Sequence, residues 1–319
     1  MISVIIPTLN SERTIGKCLE AVLGSSYKDY EVIVSDGGSR DRTIEISKGT
    51  NDIRIRVFQK KDDGAAQGRN NGARNAAGQI LFFVDADVVI KRDTLTLVAA
   101  DFAGTDASAV CGCYDKASVN SSFGPAYDSL RKHYDWTSVK DRYCDFFTTA
   151  RGAVRRDVFS SLGGFDERLK GTLANEDLEF GCRMVNAGYK MLKDDRIIVR
   201  HFGPTFWHNL NMFYARSGSY FKMFLKKKKF ENVKTTKGSA VNCFLALLGT
   251  VVLPFFWPLG AAILLVHVSQ NAKFLSFVAA ERGPVFALKS VGANYMLAMA
   301  AASGAVTAAF SLPFEKVKG

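Results

Sequence analysis

The chain has 319 residues, and its 42 Lys+Arg against 31 Asp+Glu give a formal net charge of +11. Hydrophobic residues make up 47% and charged residues 23%, which excludes a disordered or collagen-like chain and leaves ample length for a buried core. The composition is uneven: residues up to about 230 are mixed and charge-rich, and two long stretches almost free of charge follow.

Strands and helices alternate from the start. Residues 3–7, SVIIP, form a short β-branched run stopped by Pro7, the pattern of a buried strand. Asn10 or Ser11 is placed to cap a helix over about 11–23, with Ile15, Cys18, Leu19 and Val22 on one face. EVIVSD, ending at Asp36, reads as a second buried strand, and DRTIEISKG as a second helix with Asp41 near its start. IRIRVFQ alternates as a third strand, and ILFFVDAD is a fourth, apolar until it ends in two acids. This order predicts an α/β domain with a mostly parallel, Rossmann-like sheet covered on both faces. In such sheets ligands bind beyond the carboxyl ends of the strands, where PTLN, SDGGS and DAD stand here.

Residues 241–268 and 285–313 are each long enough, at about 1.5 Å per residue, to cross a hydrocarbon core about 30 Å thick. The expected organisation is a catalytic domain over 1–204, an interfacial amphipathic and basic segment over 205–240, and a membrane domain over 241–319. That last domain carries two transmembrane helices, at about 241–268 and 285–313. The first contains Pro254 and Pro258 and should kink there; a re-entrant hairpin turning at these prolines is the alternative. In the second, Gly292, Ala298, Ala302 and Gly304 suit close helix–helix contact. Between 206 and 230, Phe206, Trp207, Phe213, Tyr214, Tyr220, Phe221 and Phe224 stand among lysines, the composition of a helix lying on anionic lipid rather than on nucleic acid. The run Lys226-Lys227-Lys228-Lys229, with Lys316 and Lys318 in the tail, places both ends on the cytoplasmic side of a multi-pass cell-membrane protein. The loop between the spans carries Lys273 and Arg282. No signal peptide is visible, so the front of the chain is expected in the cytoplasm. The six cysteines show no C-x-x-C pair and read as buried free thiols.

The chemistry centres on Asp85-Ala86-Asp87. Two carboxylates two residues apart after a buried strand are where a nucleotide-bound divalent cation would be held. Hard oxygen ligands suit Mg²⁺ or Mn²⁺, which would offset charge on a departing nucleoside diphosphate.

From residue 2 to about 200 the chain resembles glycosyltransferase family 2, whose members have the GT-A fold. The likeness rests on SVIIPTLN, VSDGGSRDRT, GAAQGRNNGARNAAGQILFFVDAD, RGAVRRDVFSSLGGFDERL and NEDLEFGCRMVNAGYK, in that order. It implies that Pro7, Thr8, Asn10 and Asp36 line the nucleotide pocket, Asp36 taking a base or ribose hydrogen bond. Arg69 would hold the nucleotide, with Asp85 and Ala86 on the ribose or sugar side. Asp87 would bind the metal, and His201 falls where some relatives place a further ligand. Asp177, second acid of the E-D pair, would take the proton from the acceptor hydroxyl, with Glu176 orienting the acceptor or the helix. Leu178, Cys182 and Val185 are read as the buried side of that helix.

Two departures narrow the expectation. The Q-x-x-R-W of processive polysaccharide synthases is absent, which favours transfer of one sugar per encounter. Dolichol-phosphate mannose synthase-like relatives carry Gln two residues past the D-x-D, where Val89 stands. The resemblance thus implies a membrane-anchored, metal-dependent inverting transferase. It would move one sugar from a UDP- or GDP-sugar to a hydroxyl of a lipid-linked saccharide or other membrane-associated acceptor. A polyprenyl-phosphate glycosyltransferase and a non-catalytic subunit of a membrane complex are the alternatives.

Overall fold

A computed structural model describes residues 1–61, 64–170, 175–227 and 234–315, the side chains of 222–227, 234–237 and 312–315 excepted. The chain divides into two compact units, one of residues 1–121 with 136–203, the other of residues 122–135 with 204–319.

In chain order the first unit holds β1 (Ile2–Thr8), α1 (Ile15–Leu23), β2 (Tyr30–Asp36), α2 (Thr43–Gly49), β3 (Ile55–Gln59), α3 (Ala65–Arg74), β4 (Ile80–Phe83), β5 (Val88–Ile90), α4 (Thr94–Gly104) and β6 (Ala109–Tyr114). Helix α5 (Phe123–Ser138) belongs mostly to the second unit. The first unit resumes with β7 (Tyr143–Cys144), β8 (Gly152–Arg155), α6 (Arg156–Ser161), α7 (Glu176–Asn186) and β9 (Met191–His201). The second unit is completed by α8 (Phe206–Lys227), α9 (Lys234–Val252), α10 (Trp257–Gln270), α11 (Ala272–Arg282) and α12 (Pro284–Glu315).

The strands form one mixed sheet in the order β3-β2-β1-β4-β8-β6-β9-β5, with β7 also on β9. Pairs β1–β2, β1–β4 and β2–β3 are parallel, and β8 turns the sheet antiparallel between β4 and β6. Both faces are covered, which explains the unbroken apolar runs. Ile2, Val4, Ile6, Val32, Val34 and Phe82 pack in one layer with Ile15, Cys18, Leu19 and Val22 of α1. Ile5, Ile33, Leu81 and Phe83 face the other. There Phe83, Phe147, Phe159, Phe165 and Phe180 form a cluster of edge-to-face and tilted rings with neighbouring centroids 5.0–6.3 Å apart. Burial of each such ring contributes about 1.5–3 kcal/mol, so this cluster is a rigid seat for α7.

In the second unit the expected first span is not one helix. Helices α9 and α10 run antiparallel as a hairpin that turns at 253–256: Gly260 lies against Leu253, Gly249 against Leu264, and His267 Nδ1 lies 3.1 Å from the carbonyl oxygen of Asn242. Pro254 and Pro258 sit at this turn, where Pro cannot continue one helix and readily begins the next. The stretch read as an outer loop is instead α11, bent by 58° from α10. Among the described residues one helix, over Pro284–Ser311, is long and apolar enough to cross a bilayer. Gly304 of α12 meets the backbone of α8, since a Cβ there would stand 2.0 Å from the carbonyl oxygen of Tyr214. The aromatic segment packs one of its faces inside this unit. Phe206, Leu210 and Phe213 of α8 pack with Tyr127 and Leu130 of α5 and Phe274 and Val278 of α11, whereas Trp207 and Tyr214 stay exposed. Lys228, Lys229, Lys316 and Lys318 lie outside the described residues.

Candidate active site

Parallel neighbours bring the carboxyl ends of β1, β2 and β4 together. Pro7 pairs with Ser35, Thr8 with Asp36, and Ile5 with Phe83. Asp36 is fully buried and turned inward. It accepts hydrogen bonds from the N–H groups of Gly38 and Ser39, both at 2.9 Å, from Thr8 Oγ1 at 3.2 Å and from Ser39 Oγ. Four donors already meet this carboxylate, so what β2 presents at its end is the ordered G-G-S turn rather than a free acid. Asn10 does not cap α1 and neither does Ser11, because the helix begins only at Ile15. Asn10 adopts the left-handed conformation at φ 51°, and its Oδ1 accepts from Arg40 N at 2.9 Å, which ties the loop after β1 to the loop after β2.

The chain leaves β4 with Val84 N bonded to Ile5 O at 3.0 Å and then turns, Val88 N bonding to Asp85 O at 3.0 Å. Alternation across this turn buries Ala86 and leaves the side chains of Asp85 and Asp87 32% and 41% exposed. Beneath them Cys18 is sealed in the core. Burial pushes its thiol well above the usual range, and the charges of Asp87 and Asp85 push it further, so it is inert as a nucleophile.

Arg69, in α3, is buried rather than extended towards a ligand. Its Nη2 donates to Asp85 Oδ1 at 2.7 Å and its Nη1 to Glu176 Oε1, which joins the D-x-D to the E-D pair across more than a hundred residues of sequence. Burial disfavours the charged guanidinium, but Asp85 and Glu176 outweigh it and hold Arg69 above its ordinary value. Burial also raises Glu176, against the pull of Arg69 and with a further push from Asp177. Asp177 stands half-buried in the first turn of α7, its Oδ1 accepting from Leu178 N at 2.8 Å. The buried side of α7 is Glu176, Phe180, Gly181 and Met184, not Leu178, Cys182 and Val185; Val185 is 40% exposed. The aromatic seat decides this. Phe180 enters the phenylalanine cluster, and Gly181 approaches so closely that a Cβ would lie 2.4 Å from Phe147 N.

His201 reaches the site through sheet pairing, since β5 and β9 are antiparallel and set His201 opposite Val88. Its Nε2 is 3.2 Å from Asp87 Oδ2, and Phe202 N donates to Asp87 O at 2.8 Å. The Tyr114 ring packs on His201 with centroids 5.4 Å apart. Among the described residues no three His, Cys, Asp or Glu side chains gather as a closed metal cage. Asp87 and His201 are nonetheless a convergent oxygen–nitrogen pair, partly exposed, which fits an open site where substrate phosphates and water complete a Mg²⁺ or Mn²⁺ shell.

The structure thus groups the predicted residues into three sets: Pro7, Thr8, Asn10 and Asp36; Asp85, Arg69, Glu176 and Asp177; Asp87 with Ala86 and His201. Sequence reading missed Tyr114, which packs on His201. It also missed Arg151, buried against Gly112 of β6; the sequence RGAVRR offers it only as one arginine among several.

A mixed α/β sheet with a D-x-D at the end of its fourth strand is of the GT-A type. The chain belongs to the glycosyl transferase family 2, whose model matches residues 3–163. It is 30% identical over 207 residues to glycosyltransferase AglE of Haloferax volcanii, a match covering 63% of this chain and 66% of that protein. It is also 30% identical over 190 residues to a PGL/p-HBAD biosynthesis glycosyltransferase of Mycobacterium tuberculosis, covering 57% of this chain and 69% of that one. The chain thus spans about two-thirds of the length of these curated relatives. In fold it is similar to the mannosyltransferase PcManGT from Pyrobaculum calidifontis, solved in complex with GDP-Man and Mn²⁺. The TM-score is 0.59 at 20% identity, covering 99% of this chain and 87% of that one.

Proposed function

We propose that the protein is a metal-dependent inverting glycosyltransferase, held at the cell membrane by its second unit with the catalytic unit in the cytoplasm. It moves one sugar from a UDP- or GDP-sugar to a hydroxyl of a lipid-linked saccharide or other membrane-associated acceptor. The observation that carries this reading is the Asp85–Arg69–Glu176 bridge, which joins the D-x-D to the acid preceding Asp177. The turns containing Pro7, Thr8, Asn10 and Asp36 receive the nucleotide. Arg69 positions Asp85 towards the sugar side and Glu176 at the root of α7. Asp87 and His201 would hold Mg²⁺ or Mn²⁺, which when bound supplies positive charge against the diphosphate. Asp177 accepts the proton of the acceptor hydroxyl as its oxygen bonds to the anomeric carbon, and the bond to the diphosphate breaks with its electron pair leaving on the nucleotide. Support for the donor class comes from the GDP-Man and Mn²⁺ held by PcManGT in its complex. Support for the membrane comes from the single long apolar helix over Pro284–Ser311 among the described residues.

Calorimetric titration of the full chain in detergent with UDP and GDP, each with Mn²⁺ and with EDTA, tests the first half. Metal-dependent binding of one nucleotide, lost in Asp87→Ala, is expected; no binding of either by folded protein overturns the reading. Asp177→Asn tests the second half. It should lower turnover by about 10²–10⁴ while nucleotide affinity stays within about twofold, as loss of a general base does.

A further inference from the structure

Arg151 immediately precedes β8, which pairs Gly152 with Phe83 of β4 and with Cys111 of β6. It therefore lies next to the end of the D-x-D strand, on the side away from β1 and β2. The side chain is 8% exposed, yet among the described residues no carboxylate lies within ion-pair distance of it. Its Nε donates to Gly112 O at 2.7 Å and its Nη1 to Thr148 Oγ1 at 3.1 Å, both neutral acceptors, and its Nη2 makes no hydrogen bond among the described residues. The guanidinium lies 4.1 Å from the centroid of Tyr114 and 5.2 Å from that of Trp136. The acids nearby are engaged elsewhere, Asp195 with Lys193 and Trp136, Asp115 with Lys91 and Arg200. A buried charge without a counter-charge is costly, and two aromatic faces recover only about 1–4 kcal/mol of it.

We infer that the counter-charge of Arg151 arrives with the acceptor, whose phosphate is received by the free Nη2 edge on the far side of the D-x-D from the nucleotide. This inference rests on the transferase reading above and names the chemistry of its acceptor, a lipid phosphate or diphosphate. Planar guanidinium favours such oxygens, and Tyr114 links the position to the Asp87–His201 pair through its contact with His201. Arg151 is a specificity-determining residue in this scheme; the proton transfer stays with Asp177.

The test uses the full chain in detergent, saturated with its nucleoside diphosphate and Mn²⁺, titrated with citronellyl phosphate, with its sugar-diphosphate ester and with citronellol. The phosphate or diphosphate should bind about tenfold to a hundredfold more tightly than the alcohol, the range of a hydrogen bond to a charged group. Tighter binding of the sugar-diphosphate ester supports a phosphate that carries the acceptor hydroxyl; tighter binding of citronellyl phosphate would make the phosphate itself the acceptor and overturn the hydroxyl-acceptor part of the reading. Arg151→Gln should erase the preference with nucleotide affinity unchanged, and Arg151→Lys should restore part of it. Equal binding of alcohol and phosphate by the wild type overturns the inference, and so does a loss in Arg151→Gln that falls on the nucleotide instead. Failure of the nucleotide to bind at all would overturn the transferase reading itself, which separates the two failures.

Discussion

Arg69 has two carboxylate partners, Asp85 and Glu176, and Asp177 adds a third negative charge to its surroundings. One guanidinium among three acids is a network whose value lies in being complete. Removing it alone strands two carboxylates, so Arg69→Met should cost about 3–5 kcal/mol and lower the thermal midpoint sharply. Adding Glu176→Gln should recover part of that loss, because the neutral amide no longer needs the cation. Additive losses in the double variant, measured by thermal unfolding in detergent, would show that the two side chains do not act through each other. Sequence reading located Asp85, Glu176 and Asp177 from their motifs, and all three stand in one group. It gave Arg69 to the nucleotide; the two carboxylate partners of that side chain are visible only in the folded chain. The four local donors of Asp36 come from the turn it begins and the strand beside it, and only the folded chain reveals them.

Elements were legible where periodicity was strong and one face had no rival. Helix α1 buries the four residues its spacing predicts, Ile15, Cys18, Leu19 and Val22. Helix α7 offers two candidate stripes, and a single glycine at 181, facing the backbone of Phe147, settles the choice. That requirement is tertiary and leaves no periodic trace. The contact of α4 with β9 carries a further consequence. Asp101 of α4 is buried, and burial together with Asp194 of β9 raises it from 3.8 to about 7, while Arg196, hydrogen-bonded to both acids, keeps Asp194 low. The folded pair therefore retains a proton that the unfolded chain releases, so stability falls as pH rises from about 4 to about 7. Below that window the sign reverses, since Asp194 stays charged in the folded state where the unfolded chain takes up a proton. Asp101→Asn should flatten the upper slope and raise the thermal midpoint at neutral pH by about 2–4 °C, roughly 1 kcal/mol. An unchanged slope in the variant would assign the pH dependence to other groups.

At the scale of the whole molecule, the first unit was readable as an α/β sheet because strand runs and polar ends recur in order. The second unit was readable only in part: Pro254 and Pro258 offered a re-entrant hairpin as the alternative to a kinked span, but hydropathy counts apolar residues without recording where a helix turns back. Helix α9 is apolar over Gly238–Val252 and α10 has 14 residues, so the arms are about 21–23 Å long at ~1.5 Å per residue. Neither reaches across a core about 30 Å thick, but a hairpin of that depth enters and leaves on one side. Its turn exposes Phe255, Phe256 and Trp257 at 85%, 59% and 72%, a cost in water that an acyl environment removes. Trp257 therefore reports the depth of the hairpin. With Trp136 and Trp207 replaced by Phe, the remaining indole in lipid vesicles should emit at short wavelength. It should be quenched by lipids brominated deep in the acyl chain and protected from aqueous iodide. Iodide quenching without bromolipid quenching would place the turn in water, and the apolar tip would then need a protein partner instead of a bilayer.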